Sequence, residues 1–347
     1  MKNKKMTNKK IKMVQYGTKH GHALGVLEVI LNNPNVNFVG VFEPDKKRIG
    51  QLKKIKNSIW NKVNFLDDKS FLNDSSIVAA SCEGSNIESL NFTEELITNN
   101  KHVFYDKPGG NNKKQFSKIV RLAKKQNNLL QLGYMFRDHD GFEKILDLSR
   151  SNLIGDIFQI RAHMSTKIPE KNPEGMLTGK EGISSFKGGI FFDLAGHMID
   201  QIISILGKPE RAFSFLKPNE NIKNLPSFKD NTLGVLEFRN ALATIEITAS
   251  EINPLARRFE VYGTKGYIIL EPFEPAKKLK LYLENDENFY KKGINIIDLE
   301  NRPRYKKSFE CFIDNIINNS NPKRSLEHEK IVQEILLSCI ENNLLVS

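Results

Sequence analysis

The sequence predicts an α/β protein of two domains: a parallel sheet covered by helices, then a second α/β domain with a mainly antiparallel sheet. Three observations predict it. The first third alternates short, continuously apolar runs with amphipathic stretches, which is typical of buried parallel strands joined by helices. Later strand-like runs follow one another across short turns, which favours antiparallel pairing. The chain of 347 residues is long enough for two domains of ordinary size.

The first domain is predicted to alternate strands and helices. We place its boundary near residues 134–140, which divides the chain into domains of 1–134 and 135–347. Its helices are expected at about 22–31, 86–99 and 113–125. Its strands are expected at 11–16, 36–42, 76–81, 102–105 and 129–134.

The second domain is predicted to begin with a strand at 157–166. A stretch rich in glycine and lysine at about 167–188, which we interpret as a loop, separates this strand from a helix at about 189–206. Two helices, at about 304–318 and 326–343, close the chain. Between the helix at about 189–206 and these two helices, the strand-like runs are RAFSFL, NTLGVLEF, ALATIEITA, RFEVYG, GYIILEP and KLKLYL.

The composition indicates a soluble globular protein. Hydrophobic residues make up 39% of the chain and charged residues 27%, and no apolar stretch approaches the roughly 20 residues that span a bilayer. Five lysines among the first ten residues supply much of the net charge of +11, and no nucleic-acid-binding signature accompanies it. The three cysteines are far apart without a CxxC pair, so neither a disulfide framework nor a zinc site is expected. We expect a cytoplasmic protein with no nucleic-acid or membrane partner.

The turn after the first predicted strand has the position of a dinucleotide-binding loop. It reads Gly17-Thr18-Lys19-His20-Gly21-His22-Ala23. In such a loop, glycines let backbone N–H groups approach a pyrophosphate at the start of the next helix. Counted from Gly17, the second and third glycines of the G-x-G-x-x-G pattern are replaced by Lys19 and His22. An ordinary strand-to-helix turn would read in the same way, so the loop alone leaves both interpretations open.

A carboxylate at the end of the second strand strengthens the dinucleotide interpretation. Glu43 follows VNFVGVF at a little more than 20 residues from the glycine loop, where an acid can accept both ribose hydroxyls of an adenosine. The same carboxylate would repel a 2′-phosphate, which favours NAD over NADP. The alternative is that Glu43 begins a turn and Asp45 caps the following helix.

A lysine stands between an acid and a proline where the fourth strand ends. The stretch reads KHVFYDKPGG, and Lys107 lies between Asp106 and Pro108. A proline biases the residue before it towards an extended backbone, which would fix the end of the strand. Lys107 therefore belongs either to a solvated turn or to a catalytic site that a rigid strand end presents.

A polar pair interrupts an otherwise apolar predicted helix. In GGIFFDLAGHMIDQII, Asp193 and His197 are four residues apart and share one helix face, and Asp200 lies near that face. Burying such a pair is unfavourable unless the two are paired or functional. They are interpreted as a hydrogen-bonded pair in a core, as catalytic residues, or as part of a metal site whose further ligands are not evident nearby.

These pieces together resemble the Gfo/Idh/MocA oxidoreductase family, the group of glucose–fructose oxidoreductase and inositol dehydrogenase. The resemblance covers nearly the whole chain, and the lysine motif followed about 85 residues later by Asp-x-x-x-His is its most specific part. Asp106 stands where the family usually has glutamate. The matching segments are the strand, turn and helix at 11–31, KHVFYDKPGG, LGYMFR, GGIFFDLAGHMID, RFEVYGTKGYIILEP and EHEKIVQEIL.

The resemblance implies an N-terminal Rossmann domain and a C-terminal domain whose open sheet packs against a second subunit, in a dimer or tetramer. It implies that NAD(P) and a sugar, inositol or related polyol with an oxidisable hydroxyl bind. Matched by motif, the catalytic residues are Lys107, Asp193 and His197. A neutral imidazole suits the base near neutral pH, and a lysine ammonium suits a developing oxyanion. Asp193 would orient His197 or a substrate hydroxyl.

The other candidate residues are expected to hold the cofactor or the substrate. We assign the cofactor to Gly17, Thr18, Lys19, His20, Gly21, Glu43 and Lys107. Lys19 is expected to pair with the pyrophosphate, and His20 and His22 are left outside the catalytic set. Tyr134 and Arg137 are weaker candidates for the substrate side, with an interdomain salt bridge as the alternative for Arg137.

Two other functions remain open for this resemblance. Some relatives are similar to glycosidases that retain NAD and cleave glycosides without net formation of NADH. Others are similar to regulators that sense the cofactor without catalysis. Because the motif residues Lys107, Asp193 and His197 are all present, they argue against the regulator. Substrate choice is expected to depend on the loop at 167–187 and on residues of the antiparallel sheet.

Overall fold

The computed structural model describes residues 10–167, 182–218, 227–300 and 302–342, which form two compact units. The first unit holds the chain up to Gly133 together with Tyr305–Lys330, and the second holds Tyr134–Arg304 and the chain from Ile331 onwards. The first change of unit along the chain falls between Gly133 and Tyr134. The second unit differs from the predicted domain 135–347, because Tyr305–Lys330 belongs to the first unit.

The first unit contains a five-stranded parallel sheet with the order β2-β1-β3-β4-β5. The order reverses at β1, so a crevice opens where the carboxyl ends of β1 and β3 diverge, which is the usual ligand site of such sheets. The strands are β1 Ile11–Tyr16, β2 Val36–Phe42, β3 Ala79–Cys82, β4 His102–Tyr105 and β5 Leu130–Leu132. The helices are α1 Ala23–Leu31, α2 Lys46–Lys53, α3 Ser89–Thr98 and α4 Lys113–Gln126.

A late helix joins the first unit through aromatic packing. In Lys306–Asn318, which we call α7, the rings of Phe309 and Phe312 each lie 5.7 Å from the ring of Phe104 on β4. The amide of Gln131 on β5 donates to Ser308 Oγ over 2.9 Å. These contacts bury apolar surface against the sheet, which explains why this helix belongs with the first unit although it is distant in sequence.

The second unit contains an eight-stranded sheet with the order β13-β12-β11-β10-β6-β9-β8-β7. Every neighbouring pair is antiparallel except β6 and β9, so the predicted mainly antiparallel sheet is confirmed. The strands are β6 Ile157–His163, β7 Arg211–Pro218, β8 Lys229–Phe238, β9 Ala241–Thr248, β10 Arg258–Gly263, β11 Gly266–Leu270, β12 Lys278–Leu283 and β13 Gly293–Asp298.

One face of this second sheet is covered and the other is open. The inward residues Ala243, Ile245 and Ile247 of β9 are fully buried, whereas Leu242 on the alternate face is half exposed. The helix α6, Ile190–Leu206, packs against β8 and β9 on the covered side. The remaining helices are α5 Asp140–Arg150 and α8 Leu326–Glu341. Within the ranges that the structure describes, no helix is both long enough and apolar enough to cross a bilayer.

Candidate functional site

The parallel strands of the first unit end in register, which brings the residues after them to one level. Tyr16 of β1 pairs with Phe42 of β2 and with Cys82 of β3, and Cys82 pairs with Tyr105 of β4. Because parallel strands point the same way, the residues that follow them leave from the same edge of the sheet. Those residues are Gly17, Glu43, Glu83 and Asp106.

Gly17 cannot be replaced by another residue without strain. Its φ is +90°, a backbone region that other residues rarely adopt. A Cβ atom at this position would lie 2.6 Å from the backbone nitrogen of Gly84, so the backbone at the end of β3 leaves no room for it. The position therefore requires the close backbone approach that a dinucleotide loop uses. Gly21 differs, because a Cβ atom there would meet no atom within 4 Å.

Glu43 is buried and already holds part of the loop. One of its carboxylate oxygens accepts a hydrogen bond from Thr18 Oγ1 over 2.7 Å. The other accepts from the backbone N–H of Asp45 over 2.9 Å. Asp45 caps α2, as the sequence suggested, and the guanidinium of Arg48 in that helix donates to the carbonyl of Thr18 over 3.3 Å. Each carboxylate oxygen retains a lone pair, so Glu43 is fixed while it can still accept a ribose hydroxyl.

Lys19 lies between two acids at the rim of this region. Its ammonium is 2.9 Å from Glu88 Oε1 and 3.8 Å from Asp45 Oδ2. The predicted pairing of Lys19 with a pyrophosphate stays a prediction, and the structure adds that Glu88 holds the ammonium next to the loop.

Lys107 follows β4 on an ordered turn and is buried. Its backbone N–H donates to Asp106 Oδ1 over 2.8 Å, and the Lys107–Pro108 peptide is cis. Gly110 has a φ of +78°, and a Cβ atom there would lie 2.7 Å from a methyl group of Leu90 on α3. Asn112 then caps α4 by accepting from the N–H of Gln115. The turn is thus fixed by close packing and hydrogen bonds, which excludes the solvated turn.

Two histidines of the loop meet two buried carboxylates. Nδ1 of His20 and Nδ1 of His22 lie 3.1 Å and 3.0 Å from the same oxygen, Asp106 Oδ2. Nδ1 of His20 also lies 3.8 Å from Glu83 Oε2. Burial, reinforced by the facing Asp106 carboxylate, raises the pKa of Glu83 well above its usual range. Burial alone would raise the pKa of Asp106 as well, but the two imidazoles hold it well below its usual range.

The second unit presents the predicted helix motif on one face of α6. His197 is buried, and its ring lies 5.4 Å from the ring of Tyr134 and 5.3 Å from that of Phe136. Gly196 allows this packing, because a Cβ atom there would lie 2.6 Å from the hydroxyl of Tyr134. Asp193, one turn before His197, is partly buried. The structure therefore brings the rings of Tyr134 and His197 together, and their roles towards a substrate stay predictions.

Arg137 pairs with Asp200, the third polar residue of the helix. The Nε and Nη2 atoms of Arg137 donate to Asp200 Oδ1 over 3.0 Å and 2.8 Å, and both side chains are buried. The amide of Gln201 donates to the other oxygen of Asp200 over 3.2 Å. This salt bridge lies within the second unit, so the interdomain salt bridge considered for Arg137 is not the one observed.

Two residues of this region were missed by the sequence analysis. Glu83 was not assigned, although it directly follows the third apolar strand just as Glu43 and Asp106 follow the second and fourth. That repeated signal of an acid after each strand was available. Arg48 was missed because nothing in its spacing indicates the contact with Thr18. Most of the loop at 167–187, to which we assigned substrate choice, lies outside the described residues.

Models of two domain families match the chain in the order of its two units. A model described as an oxidoreductase family with an NAD-binding Rossmann fold matches residues 16–134. A model of the GFO/IDH/MocA C-terminal domain matches residues 142–269. The two matches span both predicted domains and bear out the resemblance that the motifs indicated.

Characterised and uncharacterised oxidoreductases are similar to this chain. Myo-inositol 2-dehydrogenase of Thermotoga maritima is 24% identical over 294 residues, which covers 82% of this chain and 83% of that protein. YdgJ of Escherichia coli, an uncharacterised oxidoreductase, is 22% identical over 220 residues, or 63% of this chain and 61% of its own length.

Solved structures share the fold over almost the full length. GenD2 from gentamicin A biosynthesis, solved with NAD, has a TM-score of 0.77 at 15% identity and covers 96% of this chain and 94% of its own. KijD10, a 3-ketoreductase from Actinomadura kijaniata solved with TDP-benzene and NADP, has a TM-score of 0.74 at 14% identity, covering 95% and 96%. At these identities the likeness shows the fold.

Proposed function

The chain belongs to the Gfo/Idh/MocA oxidoreductase family, and from that premise we propose that it transfers hydride between NAD and a secondary hydroxyl of a sugar, inositol or related polyol. The observation that carries the proposal is the row of strand-end residues in the first unit. Gly17, Glu43 and Lys107 leave the same sheet edge, and the strand order reverses at β1, which Gly17 follows. The similarity to an inositol dehydrogenase supports the substrate class.

The residues of the loop fit an adenine dinucleotide. Gly17 provides the close backbone approach, and α1 begins at Ala23 with the amino terminus that favours a pyrophosphate. Glu43, held by Thr18, would accept the ribose hydroxyls and repel a 2′-phosphate, so we propose NAD rather than NADP. When bound, the nicotinamide supplies the hydride acceptor for the alcohol or the hydride donor for the ketone.

Residues of the chain would accept the proton of the substrate hydroxyl and stabilise its oxygen. His197 takes the hydroxyl proton through a ring nitrogen, because an imidazole is poised as a base near neutral pH. The ammonium of Lys107 donates to the substrate oxygen and stabilises its developing negative charge. Asp193, one helical turn from His197, orients the imidazole or a neighbouring hydroxyl of the substrate. Tyr134 and Arg137 would line the substrate side of His197.

We further propose that the open face of the second sheet packs against another copy of the chain, in a dimer or tetramer. This face exposes Leu242 of β9, Phe215 of β7 and Ile294 and Ile296 of β13 at 50–66% of their surface. These apolar side chains lie towards both edges of the face, on β7 and β9 and on β13, and a second copy that covers the face would bury them. Light scattering should therefore give a mass above that of one chain, and Leu242→Arg should reduce it.

The test of the reaction is turnover on a polyol panel with matched variants of the two catalytic residues. Lys107→Ala and His197→Ala should each reduce kcat by at least about 100-fold, which is the range of general acid–base catalysis. Lys101→Met is the control for Lys107, since Lys101 is equally buried at the other end of β4. His139→Asn is the control for His197, since both rings pack against Phe136.

The outcomes separate the competing functions. Retained turnover in both Lys107→Ala and His197→Ala rejects the catalytic assignment. Glycoside cleavage without net NADH formation would instead identify an NAD-retaining glycosidase. Absence of turnover on every polyol, together with recovery of a specific protein partner, would identify the regulator.

A further inference from the structure

Four side chains with metal-ligating atoms meet where the loop of residues 17–22 faces the ends of β3 and β4. His20, His22 and Asp106 offer three such atoms, all within 4.8 Å of one another. The two imidazole rings lie 4.7 Å apart at an angle of 74°, so their nitrogens approach Asp106 from different directions. Glu83 adds a second carboxylate, 3.8 Å from His20.

Glu83 is the second, independent sign of a missing ligand. Its side chain is 0% exposed, and within the described parts of the chain neither carboxylate oxygen has a hydrogen-bond partner. A buried carboxylate without a donor is strongly unfavourable unless a positive charge faces it. Asp106, also buried, places a second carboxylate beside it.

The distances among His20, His22 and Asp106 fit three ligands of a four-coordinate metal ion. With ligand bonds of about 2.0–2.1 Å, a tetrahedral zinc site has ligand atoms about 3.3 Å from one another. The observed separations are 3.0 Å for His22 to Asp106, 3.1 Å for His20 to Asp106 and 3.8 Å for His20 to Glu83. The backbone N–H of His22 approaches Nδ1 of His20 at 3.3 Å, which is long for a hydrogen bond and competes weakly for that lone pair.

We propose that this cluster binds one divalent transition-metal ion, with Zn²⁺ as the best match. The ligands are Nδ1 of His20, Nδ1 of His22 and Oδ2 of Asp106, and the buried Glu83 carboxylate, 3.8 Å from His20, adds a second negative charge beside the ion. Two neutral imidazoles with two carboxylates balance the charge of a divalent ion, and imidazole nitrogen favours zinc over magnesium or calcium. The sequence analysis expected no metal, because these ligands follow two separate strands, β1 and β4.

The ion would connect the loop to Lys107. Asp106 uses Oδ1 to accept the N–H of Lys107 over 2.8 Å and directs Oδ2 to the two imidazoles. A metal ion bound at Oδ2 would therefore fix the side chain of Asp106, whose Oδ1 holds the backbone N–H of Lys107. This role is one of position and stability, and the proposal does not depend on the redox function.

The test is a calorimetric titration of EDTA-treated, dialysed protein with zinc chloride, supported by the visible absorption of added Co²⁺. We expect one equivalent per chain and the intense bands of tetrahedral Co²⁺. His20→Ala and His22→Ala should each weaken binding at least about tenfold, the scale on which even outer partners of a metal matter. Glu83→Gln, which keeps the shape of the side chain, should weaken binding to a smaller extent.

His163→Ala is the matched control. Nδ1 and Nε2 of His163 lie 3.1 Å and 3.4 Å from the carboxylates of Glu246 and Glu251, so it is also a histidine between two acids. Its replacement should leave zinc binding unchanged, because His163, Glu246 and Glu251 are not ligands of the proposed ion.

Absence of stoichiometric binding overturns the proposal, as does binding that His20→Ala, His22→Ala and Glu83→Gln all leave unchanged. Circular dichroism shows whether each variant folds, and Glu83→Gln keeps the test decisive where a histidine variant does not. NADH fluorescence is followed in parallel. Intact NADH binding without zinc binding rejects the metal alone, and zinc binding without NADH binding rejects the proposed redox function alone.

Discussion

The two edges of the parallel sheet treat their buried polar groups in opposite ways. At the amino edge, the ammonium of Lys101 donates to the carbonyls of Asp74 and Ile77 over 2.7 Å and 2.8 Å. Beside it, Nδ1 of His102 accepts from the N–H of Leu129 over 2.9 Å. At the carboxyl edge, in contrast, the buried carboxylates of Glu83 and Asp106 face each other. The two carboxylate oxygens of Glu83 have no hydrogen-bond donor among the described residues.

We propose that this difference separates groups that serve the fold from groups that serve a ligand. A buried polar group is stabilising when its partners come from the surrounding backbone, and unfavourable when they are missing. Lys101 and Lys107 illustrate this at the two ends of β4. Lys101 is held by carbonyls in its own unit, and Lys107 lies on the edge where Gly17, Glu43 and Asp106 converge.

The largest effect is expected at Gly17. Gly17→Ala introduces a side chain at a φ of +90° and against the backbone of Gly84, which should lower the free energy of unfolding by about 3 kcal/mol. The same change should weaken NADH binding by at least about tenfold, because the loop must move. Thermal unfolding and NADH fluorescence measure the two effects.

Gly21→Ala is the control for this change. A Cβ atom at Gly21 meets no atom within 4 Å, so stability and NADH binding should stay close to those of the unmodified protein. Equal losses in Gly17→Ala and Gly21→Ala would show that the edge at Gly17 has no special geometry.

A smaller loss is expected at the amino edge. Lys101→Met removes the donor of two buried carbonyls and should lower the free energy of unfolding by about 2 kcal/mol. Because Lys101 lies at the opposite edge from the cofactor loop, NADH affinity should not change. Urea unfolding measures the stability, and NADH titration measures the affinity. Reduced NADH affinity in a folded Lys101→Met variant would contradict the proposal that only the carboxyl edge serves the ligand.

At the carboxyl edge, the removal of a buried charge should instead raise the free energy of unfolding. In metal-free protein, Glu83→Gln removes one of two facing buried carboxylates and should raise the free energy of unfolding by about 1 kcal/mol. Added zinc should stabilise the unmodified protein more than the variant. Thermal unfolding with EDTA and with zinc measures both changes. Destabilisation by Glu83→Gln in EDTA would mean that an unrecognised donor already satisfies the carboxylate.

The smallest expected effect is the loss of stability at acidic pH. Burial lowers the pKa of His102, so the unfolded chain binds the proton first as the pH falls through about 6.5. The free energy of unfolding should therefore decrease below that pH. This decrease should be smaller in the His102→Gln variant. Thermal unfolding at pH 7.5 and pH 5.5 compares the two proteins. An equal loss in both would exclude His102 as a source of the acid sensitivity.

Much of the fold was readable from the sequence because the patterns were strong. Strands such as IKMVQY, VNFVGVF and HVFY were predicted with the bounds that the structure gives, since each is a continuous apolar run. β13 was missed because its residues alternate between exposed and partly buried at the sheet edge, so apolar content did not mark it. The helix α5 was missed because it begins at the expected domain boundary.

The candidate site was readable in part. Single motifs indicated Gly17, Glu43 and Lys107 as candidates, and helical spacing indicated Asp193 and His197, whose roles stay predictions. The contacts of His20 and His22 with Asp106 could not be predicted, because they depend on the register that aligns the ends of β1 and β4 through β3. Sequence spacing indicates which residues share a helix face, but it does not indicate which strand ends lie side by side.

The central claim is that the altered glycine loop still binds NAD and that Glu43 selects it. The most direct test is a calorimetric titration of the purified protein with NAD⁺, NADH, NADP⁺ and NADPH. We predict tight binding of NAD⁺ and NADH and at least about tenfold weaker binding of the phosphorylated pair, with the difference reduced in Glu43→Ala. Failure of all four to bind, or equal binding of the two pairs, would contradict the account.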